Sequence, residues 1–314
     1  MYKGKRIGIV VPAYNEEKQI RKVIDTMPET ADVMVIVDDC SRDRTSDVVR
    51  ECIAREPRVQ LIRHEVNQGV GGAIASGYKW CRDNGIDVAV VMAGDGQMEP
   101  RDFTTILDPV VDGQADYSKA NRLFFEDSRK DIPKIRFIGN SVLSLLTKIA
   151  SGYWHVSDSQ TGYTAINRTA LEVIDWDSMY KRYGQPNDLL VRLNVFNFRV
   201  KDVYIRPTYG VGEESKLKVR RAIFSLSWLL LKLFFWRLNE KYFKRDFHPL
   251  ILFYAMGLGC GVVATALFVR LIVLWTRQGA VPEMTALAWM FMVGLGLQSL
   301  FFAMLFDRQE TQRF

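Results

Sequence analysis

The first hundred residues repeat one pattern of apolar and polar positions. Arg6–Val11 (RIGIVV), Val33–Val37 (VMVIV), Val59–Ile62 and Val88–Met92 are short, nearly continuous apolar runs. Runs of this length, rich in Val and Ile, predict strands buried on both faces. Between them lie stretches with helical patterning, ending near Met27, Arg55 and Asn84-Gly85. Strands alternating with helices at this spacing predict a parallel, three-layer α/β sheet. Ligands of such sheets bind beyond the carboxyl ends of the strands. Those ends carry Pro12–Glu16, where Pro12 is expected to break the first strand, then Asp38-Asp39, and then Gly94-Asp95-Gly96-Gln97.

The pattern changes near the C-terminus. Pro249–Thr276 contains one charge, Arg270, and Met284–Phe306 contains none. At about 1.5 Å per residue each run is long enough to cross the hydrocarbon core, so a two-helix transmembrane hairpin is expected, over about 249–276 and 284–306. The alternative is a buried hairpin of a soluble protein. Gly257, Gly259, Gly261, Gly294 and Gly296 suit close helix packing in lipid, and such small-residue faces would also suit a homo-oligomer. Ala222–Trp236 (AIFSLSWLLLKLFFW) is too short and too closely flanked by Lys and Arg to span. It reads as an interfacial amphipathic helix on an anionic leaflet, with a core helix of the soluble part as the alternative. The expected division is therefore 1–220, a soluble domain; 221–247, interfacial helix and linker; and 248–314, the hairpin with a short tail.

Charge sets the orientation. Lys241, Lys244 and Arg245 precede the hairpin, and Arg308 and Arg313 follow it. The positive-inside rule then places both hairpin ends and the large domain in the cytoplasm of a multi-pass protein of the cell (inner) membrane. The first strand begins so near the N-terminus that no signal peptide is expected. The 314 residues are 48% hydrophobic and 25% charged, which excludes disorder and coiled coil, and the net charge is +6. Cys40, Cys52, Cys81 and Cys260 show no paired spacing, so no disulfide framework is expected. The three histidines are far apart, which argues against a histidine metal site.

The candidate chemistry lies at the strand ends. Gly69-Val70-Gly71 begins like a dinucleotide fingerprint, but Ile74 stands where the third glycine belongs, so a tight turn into a helix is the simpler reading. Helix capping accounts for one acid of Asp38-Asp39 but not both; a second carboxylate facing inward can accept N–H groups of a nucleobase. Asp95 and Gln97, at i and i+2 in an extended loop, offer oxygen ligands to a hard cation, which would neutralise a diphosphate. Asp188 is the one acid that suggests itself as a general base, unless it serves as a helix cap.

Together Val11–Glu16, Val37–Thr45, Asn67-Gln68-Gly69 and Gly94–Gln97 resemble glycosyltransferase family two, with its GT-A (Rossmann-like) nucleotide-sugar fold. Asp158-Ser159-Gln160-Thr161-Gly162-Tyr163 and Ser215-Lys216-Leu217 resemble its polyprenyl-phosphate branch, in which a two-helix tail also occurs. The resemblance implies an inverting, metal-dependent transfer of a hexose from a UDP- or GDP-sugar to a polyprenyl phosphate, undecaprenyl or dolichyl. It implies that Pro12, Tyr14, Glu16 and Asp39 hold base and ribose, with Gly94 beside the donor. It further implies that Asp95 and Gln97 hold Mg²⁺ or Mn²⁺, and that Arg122, Arg136, Arg206 and Lys216 bind phosphate, Arg136 taking the lipid phosphate. Asp95, Arg136 and Lys216 would form the catalytic core; nucleic acid has no place in this reading. Three positions depart from the family pattern: Ala93 stands where an acid is usual, Cys40 for a common Gly, and Val70 for a common Lys or Arg. A polysaccharide synthase, a transferase to a lipid-linked sugar and a non-catalytic nucleotide-sugar-binding subunit are the rival readings. The Gln-x-x-Arg-Trp motif of processive synthases is not present.

Overall fold

The computed structural model describes residues 1–94, 98–122, 134–159, 161–205 and 219–311. They form two compact units, Met1–Phe234 and Phe235–Phe314.

The first unit is built on a seven-stranded sheet: β1 (Ile7–Ala13), β2 (Val33–Asp38), β3 (Val59–Arg63), β4 (Val88–Val91), β5 (Tyr117–Asn121), β6 (Thr164–Asn167) and β7 (Val200–Tyr204), in the order β3-β2-β1-β4-β6-β5-β7. The chain fills one side of β1 with β2 and β3, then crosses to the other side with β4, so a topological switch point falls between β1 and β4. That is where an open α/β sheet parts its loops to admit a ligand. The four apolar runs are strands β1 to β4, and they are parallel. The sheet as a whole is mixed, because β6 runs antiparallel to both β4 and β5. Pro12 does not break β1: it pairs with Val37. Its carbonyl accepts from Gly94 N on the side where β4 has already ended, so its missing N–H costs no ladder bond.

Helices α1 (Ile20–Asp25), α2 (Thr45–Ile53), α3 (Val70–Asp83), α4 (Phe103–Val111), α5 (Lys134–Ser151), α6 (Arg168–Val173) and α7 (Gln185–Val195) complete this unit up to α8 (Val219–Asn239). Two apolar layers result. Ile7, Ile9, Val11, Met34, Ile36 and Val90 meet α1, α2 and α4 on one face; Val10, Val35, Val37 and Ala89 meet α3 and Leu189, Leu190 and Leu193 of α7 on the other. Gly77 lets α3 lie close to β1, since a Cβ there would clash with Val10 Cγ1. Helix α8 is longer than the fifteen-residue apolar run within it. Leu226 and Leu229 approach Gly184, and Leu230 and Leu233 are buried. On other faces Phe224 is 79% exposed, and Trp228 and Leu231 are exposed with it. The helix is thus partly a packing element of the domain and partly an uncovered apolar surface.

The second unit is dominated by α9 (Leu250–Gln278) and α10 (Glu283–Thr311), both long and apolar enough to cross a bilayer. Only 11% and 17% of their most apolar windows are buried, which is unlike the core hairpin of a soluble protein. Gly279, at φ +71°, ends α9 in the left-handed region, where its N–H still reaches Trp275 O at 2.9 Å. Gly257 and Gly296 sit at the helix contact: a Cβ on Gly257 would lie 2.7 Å from Leu300, and one on Gly296 3.1 Å from Cys260 Cβ. Gly259, Gly261 and Gly294 have nothing within 4 Å of an added Cβ, so close packing between these helices does not account for them. The Asp307 carboxylate is held by the Arg237 guanidinium, at 2.7 and 2.8 Å, and by Tyr242 OH at 2.6 Å, all buried.

Candidate active site

The loops after β1 and β2 are stitched together by side chains acting on the neighbouring backbone. Asn15 N donates to Ser41 Oγ (2.9 Å), Arg42 N to Asn15 Oδ1 (2.9 Å), and Glu16 N to Thr45 Oγ1 (2.8 Å). Asn15 and Cys40 take left-handed backbone conformations, φ 58° and 61°. Asn tolerates that region and Gly favours it, so Cys40 carries a backbone strain that a Gly in its place would not.

The two adjacent acids divide the work. Asp38 is fully buried and shapes its own loop, accepting Ser41 N at 2.9 Å and the Ser46 hydroxyl. Asp39 is 3% exposed. Its Oδ1 accepts from Gln68 N (2.8 Å) and meets His64 Nδ1 (2.7 Å), and its Oδ2 accepts from Gly69 N (2.7 Å). Since a carboxylate can only accept, the Nδ1 proton is assigned to that bond. His64 Nε2 lies 2.9 Å from Ser76 Oγ. Tyr14, 43% exposed, and half-buried Glu16 stand beside this group, and Gly94 N reaches Pro12 O at 3.3 Å. The structure therefore brings Pro12, Tyr14, Glu16, Asp39 and Gly94 to the carboxyl ends of β1, β2 and β4. Next to the switch point, a Cβ on Gly94 would stand 3.2 Å from Pro12 O, a tight contact that a larger residue could make only if Pro12 shifted.

A second cluster lies at the carboxyl end of β5. Arg122 donates from Nε to Asp158 Oδ2 (2.9 Å), and Asp158 Oδ2 also takes Arg122 N (3.3 Å). Beneath it Lys119 is fully buried and its ammonium donates to Asp158 O. Asp202 Oδ2 accepts from Asn121 Nδ2 and Ser157 N, both at 2.9 Å, while its Oδ1 is buried without a hydrogen-bond partner among the described residues. Burial pushes the Lys119 ammonium down, against the pull of Asp158 and Asp202. Burial likewise pushes Asp158 up, but Arg122 and Lys119 outweigh it and hold that carboxyl below the usual range. At Asp202 burial wins and the carboxyl is raised despite Lys119.

Asp188 is neither a cap nor an accessible base. Gly184 is the N-cap of α7, and Asp188 is buried in the first turn, accepting from Tyr180 N (2.7 Å) and Arg192 Nε (2.9 Å). It fixes the segment before α7; burial raises its carboxyl although Arg192 opposes it. Asp95, Gln97, Arg206 and Lys216 lie outside the described residues, and Arg136 falls in α5 with its side chain outside them. The described residues hold no group of three or more His, Cys, Asp or Glu side chains able to bind a metal. Reading the sequence missed His64 and Lys119. The signal for His64 was its place at the end of a strand beside β2: Asp38 pairs with Arg63, so Asp39 and His64 follow in register.

Comparison with known proteins agrees with this geometry. The family model described as "Glycosyl transferase family 2" matches residues 8–175. A UDP-N-acetylglucosamine–dolichyl-phosphate N-acetylglucosaminyltransferase of Methanococcus voltae is 31% identical over 226 residues, which cover 66% of this chain and 90% of that protein. An undecaprenyl-phosphate mannosyltransferase of Micrococcus luteus is 30% identical, over 68% of this chain and 87% of the relative. Among solved structures, glucosyl-3-phosphoglycerate synthase of Mycobacterium tuberculosis, in complex with Mn²⁺, UDP and product, superposes with a TM-score of 0.54 at 18% identity, over 74% of this chain and 80% of that one, a likeness of fold. The family match runs from the first strand past the Asp158 loop and so takes in both clusters except Asp202; the chain belongs to glycosyl transferase family 2, built on the GT-A fold.

Proposed function

We propose that this protein transfers a hexose, with inversion, from a nucleoside diphosphate sugar to a polyprenyl phosphate, giving a β-linked polyprenyl phosphosugar. The observation that carries the reading is the engagement of Asp188: the acid offered as a general base is buried and held by Tyr180 N and Arg192. A hydroxyl acceptor needs a base. A phosphate monoester, with a second pKa of about 6, is already mostly dianionic at pH 7 and needs none. The relatives named for dolichyl- and undecaprenyl-phosphate transfer support the same acceptor.

In this reaction a phosphate oxygen of the acceptor forms a bond to the anomeric carbon as the bond to the diphosphate breaks. The diphosphate leaves with the electron pair, and no proton has to move. Pro12, Tyr14, Glu16 and Asp39 hold base and ribose at the switch point. Arg122, whose Nε donates to Asp158, meets phosphate at the end of β5, with Arg136, Arg206 and Lys216 as further phosphate ligands and Arg136 taking the lipid phosphate. Gly94 delivers the chain beside Pro12, where the oxygen donors Asp95 and Gln97 follow, a set that suits a hard cation. When bound, Mg²⁺ or Mn²⁺ would neutralise charge on the leaving diphosphate.

Helices α9 and α10 span the membrane in this reading, with the catalytic unit on the cytoplasmic side, where Lys241, Lys244, Arg245 and Arg308 flank them. Phe224, Trp228 and Leu231 of α8 then meet the bilayer surface. The test offers the purified protein one labelled sugar nucleotide with polyprenyl phosphate, the unphosphorylated polyprenol, or a lipid-linked disaccharide. Transfer to the phosphate alone is expected; transfer to the polyprenol or the disaccharide in its place would overturn the reading.

A further inference from the structure

Behind Asp39, His64 and Ser76 continue a polar chain that glycosyl transfer as described does not use. It runs from the carboxylate assigned to the donor's base, through a buried imidazole, to a hydroxyl on α3. We propose that His64 is a positioning residue that makes the donor site selective for a uracil nucleotide, by occupying one oxygen of Asp39 and leaving the other to read the base. This rests on the assignment of Asp39 to the nucleobase.

The argument is a count of acceptor positions. A carboxylate offers about four, two on each oxygen. Oδ1 takes His64 Nδ1 and Gln68 N and is filled; Oδ2 takes Gly69 N and keeps one position. Gln68 and Gly69 donate from the backbone of the turn into α3, so neither bond can be released without moving that turn. His64 is the side chain in the set, and its ring is fixed from both ends, by Asp39 and by Ser76. A base must therefore be read through a single acceptor. Uracil presents one ring N–H between two carbonyls, which matches one free position. Guanine presents two parallel N–H donors, which ask for both oxygens of a carboxylate at once. Cytosine presents an unprotonated ring nitrogen at the matching place, which a carboxylate repels. Without the imidazole, Oδ1 regains a position, the carboxylate loses its lateral brace, and the bidentate fit to guanine opens.

Two substitutions separate this role from simple packing. An Asn amide nitrogen is as many bonds from the backbone as His Nδ1, and a Gln amide nitrogen as many as Nε2. His64→Asn can keep the bond to Asp39, whereas His64→Gln can keep only that to Ser76. His64→Phe keeps ring volume and loses both. Binding of UDP, GDP, CDP and inorganic pyrophosphate to the full-length protein in detergent, with Mn²⁺, is measured by calorimetry, and thermal melts report folding. The wild type should bind UDP about tenfold or more tighter than GDP, and His64→Asn should stay within about threefold of it. In His64→Gln and His64→Phe, UDP affinity should fall by about tenfold, the worth of the base's hydrogen bond to Asp39 once the unbraced carboxylate swings out of line with it. The UDP preference over GDP should then shrink to about threefold or less, while pyrophosphate binding is unchanged. A wild type that prefers UDP, with Gln and Phe variants as selective as Asn, would overturn the role of His64 alone. A wild-type preference for GDP would also overturn it while leaving glycosyl transfer intact. Nucleotides bound no more tightly than pyrophosphate would overturn both.

Discussion

Lys119→Met examines the least expected feature of the fold, a lysine with no solvent exposure in the middle of a strand. Met conserves volume, so the cavity contribution is small and the effect is electrostatic. Lys119 and Arg122 face Asp158 and Asp202, two cations against two carboxylates. Removing one partner from such a buried set costs about 3–5 kcal/mol. Arg122 stays paired with Asp158 in the variant, which offsets part of this and leaves about 2–3 kcal/mol. For a unit of this size each kcal/mol moves the melting midpoint by about 2–4 °C, so a fall of about 4–12 °C is expected. The pH dependence gives the sharper check. Burial already raises the Asp202 carboxyl and Lys119 opposes that rise, so the variant's carboxyl is raised further. A carboxyl raised in the native state binds its proton more tightly there than in the unfolded chain. Its penalty is absent below the unfolded value near 4 and grows as pH climbs through the native value. The deficit should therefore be largest at pH 7.5 and shrink toward pH 4.5, measured as midpoints of wild type and variant across that range. A variant as stable as wild type, or a deficit that does not change with pH, would refute the compensation of these carboxylates by Lys119.

Asp188→Asn should lower the melting midpoint, because Tyr180 N and Arg192 lose a charged acceptor, yet keep turnover within about tenfold; a loss of 10³ or more in initial rate would restore it as a base. Cys40→Gly should raise the midpoint by about 1–2 °C, since relief of the left-handed backbone slightly exceeds the entropy cost of Gly, and a fall would refute the strain. Asp95→Ala and chelation should each reduce turnover by at least about 10²-fold in the standard rate assay, and full activity in chelator would end the metal proposal. A membrane-impermeant thiol reagent should label cysteines placed at Gln278 and at Phe314 from opposite sides of sealed vesicles; labelling from one side would contradict the two-span topology.

The first four strands were legible because each is buried on both faces by Ile, Val and Met, a pattern needing no knowledge of the rest of the chain. Strand β5 was not, because its burial is achieved with Ser118, Lys119 and Asn121, satisfied by Ile106 O, Asp158 O and Asp202. Those partners are 12 to 81 residues away, beyond any local pattern. The reversal of β6 is also a tertiary fact: Thr164–Asn167 is four residues long and pairs with strands on either side of it. In the site, Asp39 announced itself as a second acid at a strand end, whereas His64 is a lone histidine after β3. Its meaning comes from the register that sets Asp38 against Arg63. Helix α8 has Leu230 buried and Phe224 open, so a single apolar run serves two faces that its local pattern does not separate.

With a lipid phosphate as the proposed acceptor, the product is a phosphodiester of the sugar. The most direct measurement incubates the purified full-length protein with a panel of UDP- and GDP-hexoses and polyprenyl phosphate. The lipid product is then identified by mass spectrometry and the anomeric configuration read by NMR. One added hexose per lipid phosphate is expected, β-linked, from a UDP-sugar, with no product from polyprenol. A sugar attached through a hydroxyl, chains of two or more sugars, or an α-linkage would contradict it.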